Sequence, residues 1–69
     1  MTQNQKILQH LKLHGSITPV EALRDYGCMR LAARIANLRQ SGHKIAAELV
    51  TGINREGGPV RFTRYTLEE

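Results

Sequence analysis

Residues 17–42, ITPVEALRDYGCMRLAARIANLRQSG, constrain this chain more than any other stretch. They spell a short helix, a tight turn and a longer helix. Thr18, Pro19 and Glu21 supply an N-cap, a residue whose φ is preset for the first helical turn, and the acid of a capping box. Ala22, Leu23 and Tyr26 recur on one side and are expected to face inward. Gly27 gives the left-handed or tightly turned position that ends the helix. The spacing predicts a further helix from about Met29 to Gln40, closed by Gly42. Its Leu31, Ile35 and Leu38 share one face, with Cys28 near the same side, and that stripe is read as core.

At about 100° per residue, Met29, Arg30, Ala33, Asn37 and Gln40 fall on the opposite face of this helix, with Arg34 at its border. The charge pattern singles out the same segment. The chain carries a formal net charge of +4. Residues 1–27 hold Lys6, Lys12 and Arg24 against Glu21 and Asp25, and four bases meet four acids in residues 43–69. Between them, Arg30, Arg34 and Arg39 stand with no acid in residues 28–42. Such a field attracts a polyanion and is weakened by salt. The plain counter-reading is a solvated basic helix face.

The flanks complete the pattern. Thr2 with Gln5 is a capping-box pair, and Ile7, Leu8 and Leu11 form an apolar stripe over a first helix that runs to about His14 and stops at Gly15. Ser16 and Ile17 read as a short extended link able to supply a first strand. After Gly42 the period changes to two, with Ile45, Ala47 and Leu49 alternating against their neighbours and Arg61, Thr63, Tyr65 and Leu67 doing the same. Two antiparallel strands are expected, with Tyr65 and Leu67 facing the helices together with Ile45 and Leu49. Residues 51–59, TGINREGGP, read as a projecting flexible loop with Arg55 near its tip.

Size and composition exclude several classes. With 69 residues the chain makes one small domain, read as a helix-turn-helix over 18–42 and a wing over 43–67, near the size where a lone core only just suffices. A single cysteine rules out an internal disulfide framework and any multi-cysteine zinc site. No apolar run approaches the ~20 residues of a membrane span, so a soluble, cytoplasmic protein is expected. His10 and His14 are spaced to share a metal, but HExxH is absent and only Cys28 is an obvious further ligand, so they are read as polar residues bordering the stripe and no metal is expected. Gly52, Gly57 and Gly58 precede no GK[ST] and no helix, which excludes a phosphate loop. Cys28 is read as a small buried residue rather than a nucleophile. No enzymatic activity and no cofactor are expected.

The order helix, short strand, helix, turn, helix, hairpin is that of a winged helix-turn-helix, an α+β architecture. SITPVEALRDYGCMRLAARIANLRQSGHKI resembles the core of a family of small winged helix-turn-helix proteins of bacteriophages and prophages. The likeness extends from the Gln-rich opening helix to the terminal RYTL strand and covers nearly the whole chain. It implies a DNA-binding role.

The physical content of that role lies in the third helix, because the major groove of B-DNA admits one α-helix. Arginine pairs with guanine O6 and N7, asparagine with adenine N6 and N7, and small apolar side chains touch thymine methyls. Met29, Arg30, Ala33, Arg34 and Asn37 are the base-contact candidates. Ser16, Thr18, Gln40, Lys44, Arg55, Arg61 and Arg64 are candidates for phosphate or wing contacts. Arg39 points away from the reading face and is expected to be solvated or phosphate-facing. Glu48 and Glu56 are placed to neutralise wing arginines by cross-strand pairing. The expected partner is double-stranded DNA, bound by a small phage or prophage transcription regulator or accessory factor. The alternative is a protein-interaction module or host-factor inhibitor on the same scaffold. A single reading helix spans few base pairs, so a homodimer on a palindrome would add specificity.

Overall fold

A computed structural model describes residues 1–69. Helix α1 (Gln3–His14) is opened by Thr2, whose hydroxyl accepts from Gln5 N–H while the Gln5 side chain accepts from Thr2 N–H, and it ends at Gly15 with φ 86°. That left-handed position strains any residue with a Cβ. Strand β1 (Ser16–Ile17) leads directly into α2 (Pro19–Tyr26), where Thr18 and Glu21 form the second reciprocal capping box. Gly27, φ 65°, turns the chain out of α2. Helix α3 (Leu31–Gln40) follows, then β2 (Ile45–Ile53) and β3 (Pro59–Leu67).

The three strands form one antiparallel sheet in the order β1-β3-β2. Ile17 lies opposite Tyr65, and Ile45 opposite Leu67. Paired residues point to the same face of an antiparallel sheet, so Ile17, Ile45, Tyr65 and Leu67 all turn toward the helices. There they meet Ile7, Leu11, Ala22, Cys28, Leu31, Ile35 and Leu38, which close a single core. Cys28 is buried in it.

The architecture is the expected winged helix-turn-helix, with four local corrections. Leu23 remains 53% exposed, because in so short a helix Ala22 and Tyr26 take the inward side and leave Leu23 at the rim. Leu49 is 66% exposed. It has the alternation of an inward residue, but β2 has by then run past the helical body. The loop is much shorter than residues 51–59: both strands continue to Ile53 and Pro59, leaving a turn at residues 54–58. The Asn54 side-chain oxygen accepts from Glu56 and Gly58 N–H, and Asn54 and Gly58 share a backbone hydrogen bond, so the turn is internally tied. Gly52 belongs to the strand, where a Cβ would sit 3.3 Å from the Phe62 ring. Finally, His10 is 4% exposed and lies within the core. Its Nδ1 shares a 2.7 Å hydrogen bond with the Tyr26 hydroxyl, tying α1 to α2.

Candidate nucleic-acid interface

Helix α3 begins at Leu31 rather than near Met29. Between Gly27 and Leu31 the chain drops Cys28 into the core and then runs outward through Met29 and Arg30. Arg30 occupies the N-cap position with φ −123° and ψ 60°, and no side chain caps the helix there. The first turn contains no acid. Ala33 N–H donates to the Arg30 carbonyl, while the Leu31 and Ala32 N–H groups and the positive end of the helix dipole stay free for an outside acceptor. Helix α2 is the opposite case, since Thr18 and Glu21 consume its leading donors at 3.3 and 2.9 Å.

The later start of α3 changes its outer strip. Met29 is 85% exposed and Arg30 is exposed, but both precede the helix instead of forming its first turn. Within the helix, Ala32, Ala36 and Gln40 are exposed, while Ala33 and Asn37 are half-buried. The alanines at 32 and 36 escaped the sequence reading, which took Ala33 as the small residue of the outer face. Only their packing shows them to be open. Arg34 turns toward α1: its Nη1 lies 3.5 Å from Asn4 Oδ1, and its Nε is buried. It therefore belongs to the α1–α3 seam in this structure rather than to the outer strip.

Arg39 is exposed, as expected, but its guanidinium is held within the protein. Its Nε and Nη2 donate to the Ile45 carbonyl at 3.1 and 2.8 Å. This two-pronged contact fastens the last turn of α3 to the root of the wing, using the planar donor fork that distinguishes arginine from lysine. The same junction is held from the chain end. Glu69 accepts from Lys44 N–H and pairs with the His43 ring. Partial burial alone would push the Glu69 carboxyl up. The His43 contact and the Lys44 amide outweigh it and hold that carboxyl below its ordinary value.

Of the wing candidates, Arg55 at the tip, Arg61 on β3 and Lys44 at the root are exposed and make no ion pair. Arg64 differs, because its guanidinium pairs with Glu48 directly across the hairpin. Glu48 thus acts as the expected neutraliser of a wing arginine, while Glu56 makes no such pair. Ser16 is half-buried within β1, and the Thr18 hydroxyl is engaged in its cap. Arg24 binds Asp25 at 3.0 Å, which holds the Asp25 carboxyl below its usual range chiefly through that hydrogen bond.

The structure thus sorts the cations into two groups. Arg24, Arg39 and Arg64 are occupied by acids or carbonyls. Arg30, Lys44, Arg55 and Arg61 are exposed without an acidic partner. These four run from the open start of α3 to the wing, and Lys6 and Lys12 on α1 are exposed and unpaired as well. No helix is long and apolar enough to cross a membrane.

A family model described as a winged helix-turn-helix domain matches residues 2–69. No curated protein matches the chain, and no solved structure does.

Proposed function

Since this chain belongs to the winged helix-turn-helix domain family, we propose that it binds double-stranded DNA, with the N-terminal part of α3 in the major groove and the wing against the backbone. The observation that carries this reading is the open, acid-free start of α3, where Arg30 stands exposed and unpaired beside Met29. Arg30 is the base reader, suited to guanine O6 and N7, and Asn37 the second, suited to adenine. Met29, Ala33 and the newly found Ala32 and Ala36 form an apolar surface for close approach and thymine methyls. Lys44, Arg55 and Arg61 supply phosphate contacts. A small phage or prophage transcription regulator or accessory DNA-binding factor fits this reading.

The salt dependence of affinity for duplex DNA tests it. About four to six phosphate contacts give a slope of log affinity against log salt of roughly −3 to −6. Absence of binding at low salt, or affinity indifferent to salt, overturns the reading. A second reading is favoured by one observation, the shallow apolar groove lined by Pro19, Val20, Leu23, Cys28 and Met29. It makes the chain a protein-docking module, with a salt-insensitive protein contact and no duplex affinity.

A further inference from the structure

We infer that the free edge of β2 pairs with β2 of a second copy, joining two wings into one continuous antiparallel sheet. In the order β1-β3-β2, β2 is a terminal strand. Backbone groups alternate in direction along it. Lys44 C=O accepts from Glu68 N–H, and Leu67 N–H donates to Gly15 C=O, away from β2. Lys44 and the even-numbered residues after it therefore face β3, while Ile45, Ala47, Leu49, Thr51 and Ile53 direct their N–H and C=O outward. Arg39 covers the Ile45 carbonyl. From Ala47 to Ile53 the outward residues are all exposed.

Exposed edges are ordinarily protected by lysine, proline, a bulge or an unpaired charge. This one has none of these. Glu48 is the only charged residue of β2, and Arg64 neutralises it. Instead the edge carries Leu49 and Ile53, exposed at 66% and 78%. A two-fold pairing centred on Thr51 sets Thr51 opposite its copy and brings each Leu49 opposite the other Ile53, on one face of the sheet. All of these are hydrogen-bonded pairs in that register. The self-complementary match of Leu49 with Ile53, made twice about the two-fold axis along an edge of free backbone donors and acceptors, selects a second copy as the occupant.

The contact is short, well below the ~1,200 Å² of a stable specific interface. It therefore forms at high protein concentration, or where two copies are already held side by side. The geometry supplies the second case. From Ile45 to Thr51 there are six residue steps, about 20 Å at ~3.4 Å per residue, so the two wing roots stand roughly 40 Å apart. Arg39 fixes the last turn of α3 to that root, and the root separation is of the same order as the ~34–36 Å between adjacent major grooves on one side of a duplex. Only this spacing argument rests on the DNA-binding reading. The pairing itself does not.

The test is oxidative cross-linking of Thr51→Cys at high protein concentration without DNA. In a hydrogen-bonded pair the two Cα atoms approach to about 5.5 Å, within disulfide reach. Lys6→Cys, exposed on α1, is the control, and the wild type with its buried Cys28 is the blank. Thr51→Cys should form a covalent dimer at least tenfold faster than Lys6→Cys. Thr51→Pro removes only an outward N–H and leaves the β3 ladder intact. It should bind a random-sequence duplex of about 12 base pairs as the wild type does, yet lose the wild type's cooperativity on a duplex long enough for two copies. Equal cross-linking rates for Thr51→Cys and Lys6→Cys, or unchanged cooperativity in Thr51→Pro, overturn the pairing. Rapid Thr51→Cys cross-linking with no affinity for either duplex upholds the pairing and overturns the DNA-binding reading alone.

Discussion

Helices α2 and α3 sit side by side in the chain but begin in opposite ways. Helix α2 is sealed by its own residues: Thr18 and Glu21 satisfy each other's backbone donors, Pro19 lacks an N–H, and Gly27 closes the far end. Helix α3 starts bare, with Arg30 at the cap position making no capping bond. Serine, threonine, asparagine or aspartate at such a position normally contributes about 1 kcal/mol. A helix that forgoes this contribution keeps its leading amides and a cation turned outward. On the proposed DNA-binding reading, this difference makes α2 the frame and α3 the interface.

The sharpest way to break that contrast is to give α3 the cap it lacks. Arg30→Asp should stabilise the fold by about 0.5–1 kcal/mol through capping while reducing duplex affinity by more than tenfold, since it also reverses a charge at the reading end. Thermal melting and a fluorescence titration should move in opposite directions. If both fall together, the bare start of α3 is structural. Arg30→Ala should cost about 1–3 kcal/mol of binding to a selected site, with base preference relaxed there and the melting temperature unchanged. Thr18→Ala is the mirror case. It should lower stability by about 1 kcal/mol with affinity preserved for the folded fraction. An affinity loss larger than the stability loss would show that α2's start also touches the ligand.

The smallest expected effect concerns the junction at Glu69. Its lowered carboxyl pKa means that the native state favours the ionised form, so the contribution is present above the ordinary value of 4.5 and is lost as pH falls through the lowered one. Glu69→Gln should flatten the acid limb of a stability-against-pH curve. An unchanged limb removes Glu69 from the junction.

The features most legible in the sequence were those made by neighbours along the chain. Both capping boxes, Gly15 and Gly27 as helix ends, and the inward stripe of Leu31, Ile35 and Leu38 are local patterns with local causes. What escaped was decided at a distance. Periodicity carries Met29 and Arg30 smoothly into α3, but burial of Cys28 takes the chain inward first and delays the helix to Leu31. Alternation placed Leu49 inward, yet no residue-level signal tells where a strand outruns the body it packs on. Glycine and asparagine made residues 51–59 look like an open loop, whereas Gly52 is in the strand to let Phe62 approach. Helical spacing separates Arg34, at the border of the reading face, from Arg39, on the side away from it, but not their partners, Asn4 for one and the Ile45 carbonyl for the other. Glu48 facing Arg64 was open to inference because strand register brings the pair together.

The most direct measurement is a heteronuclear NMR titration of the protein with a short duplex at low salt. The largest amide shifts are expected on Met29 to Ala33 and on Asn37, with a second set at Arg55 and Arg61, while Thr18 to Ala22 stays nearly still. Shifts concentrated on α2 and the Pro19–Val20–Leu23 groove, with the start of α3 unmoved, would contradict this expectation.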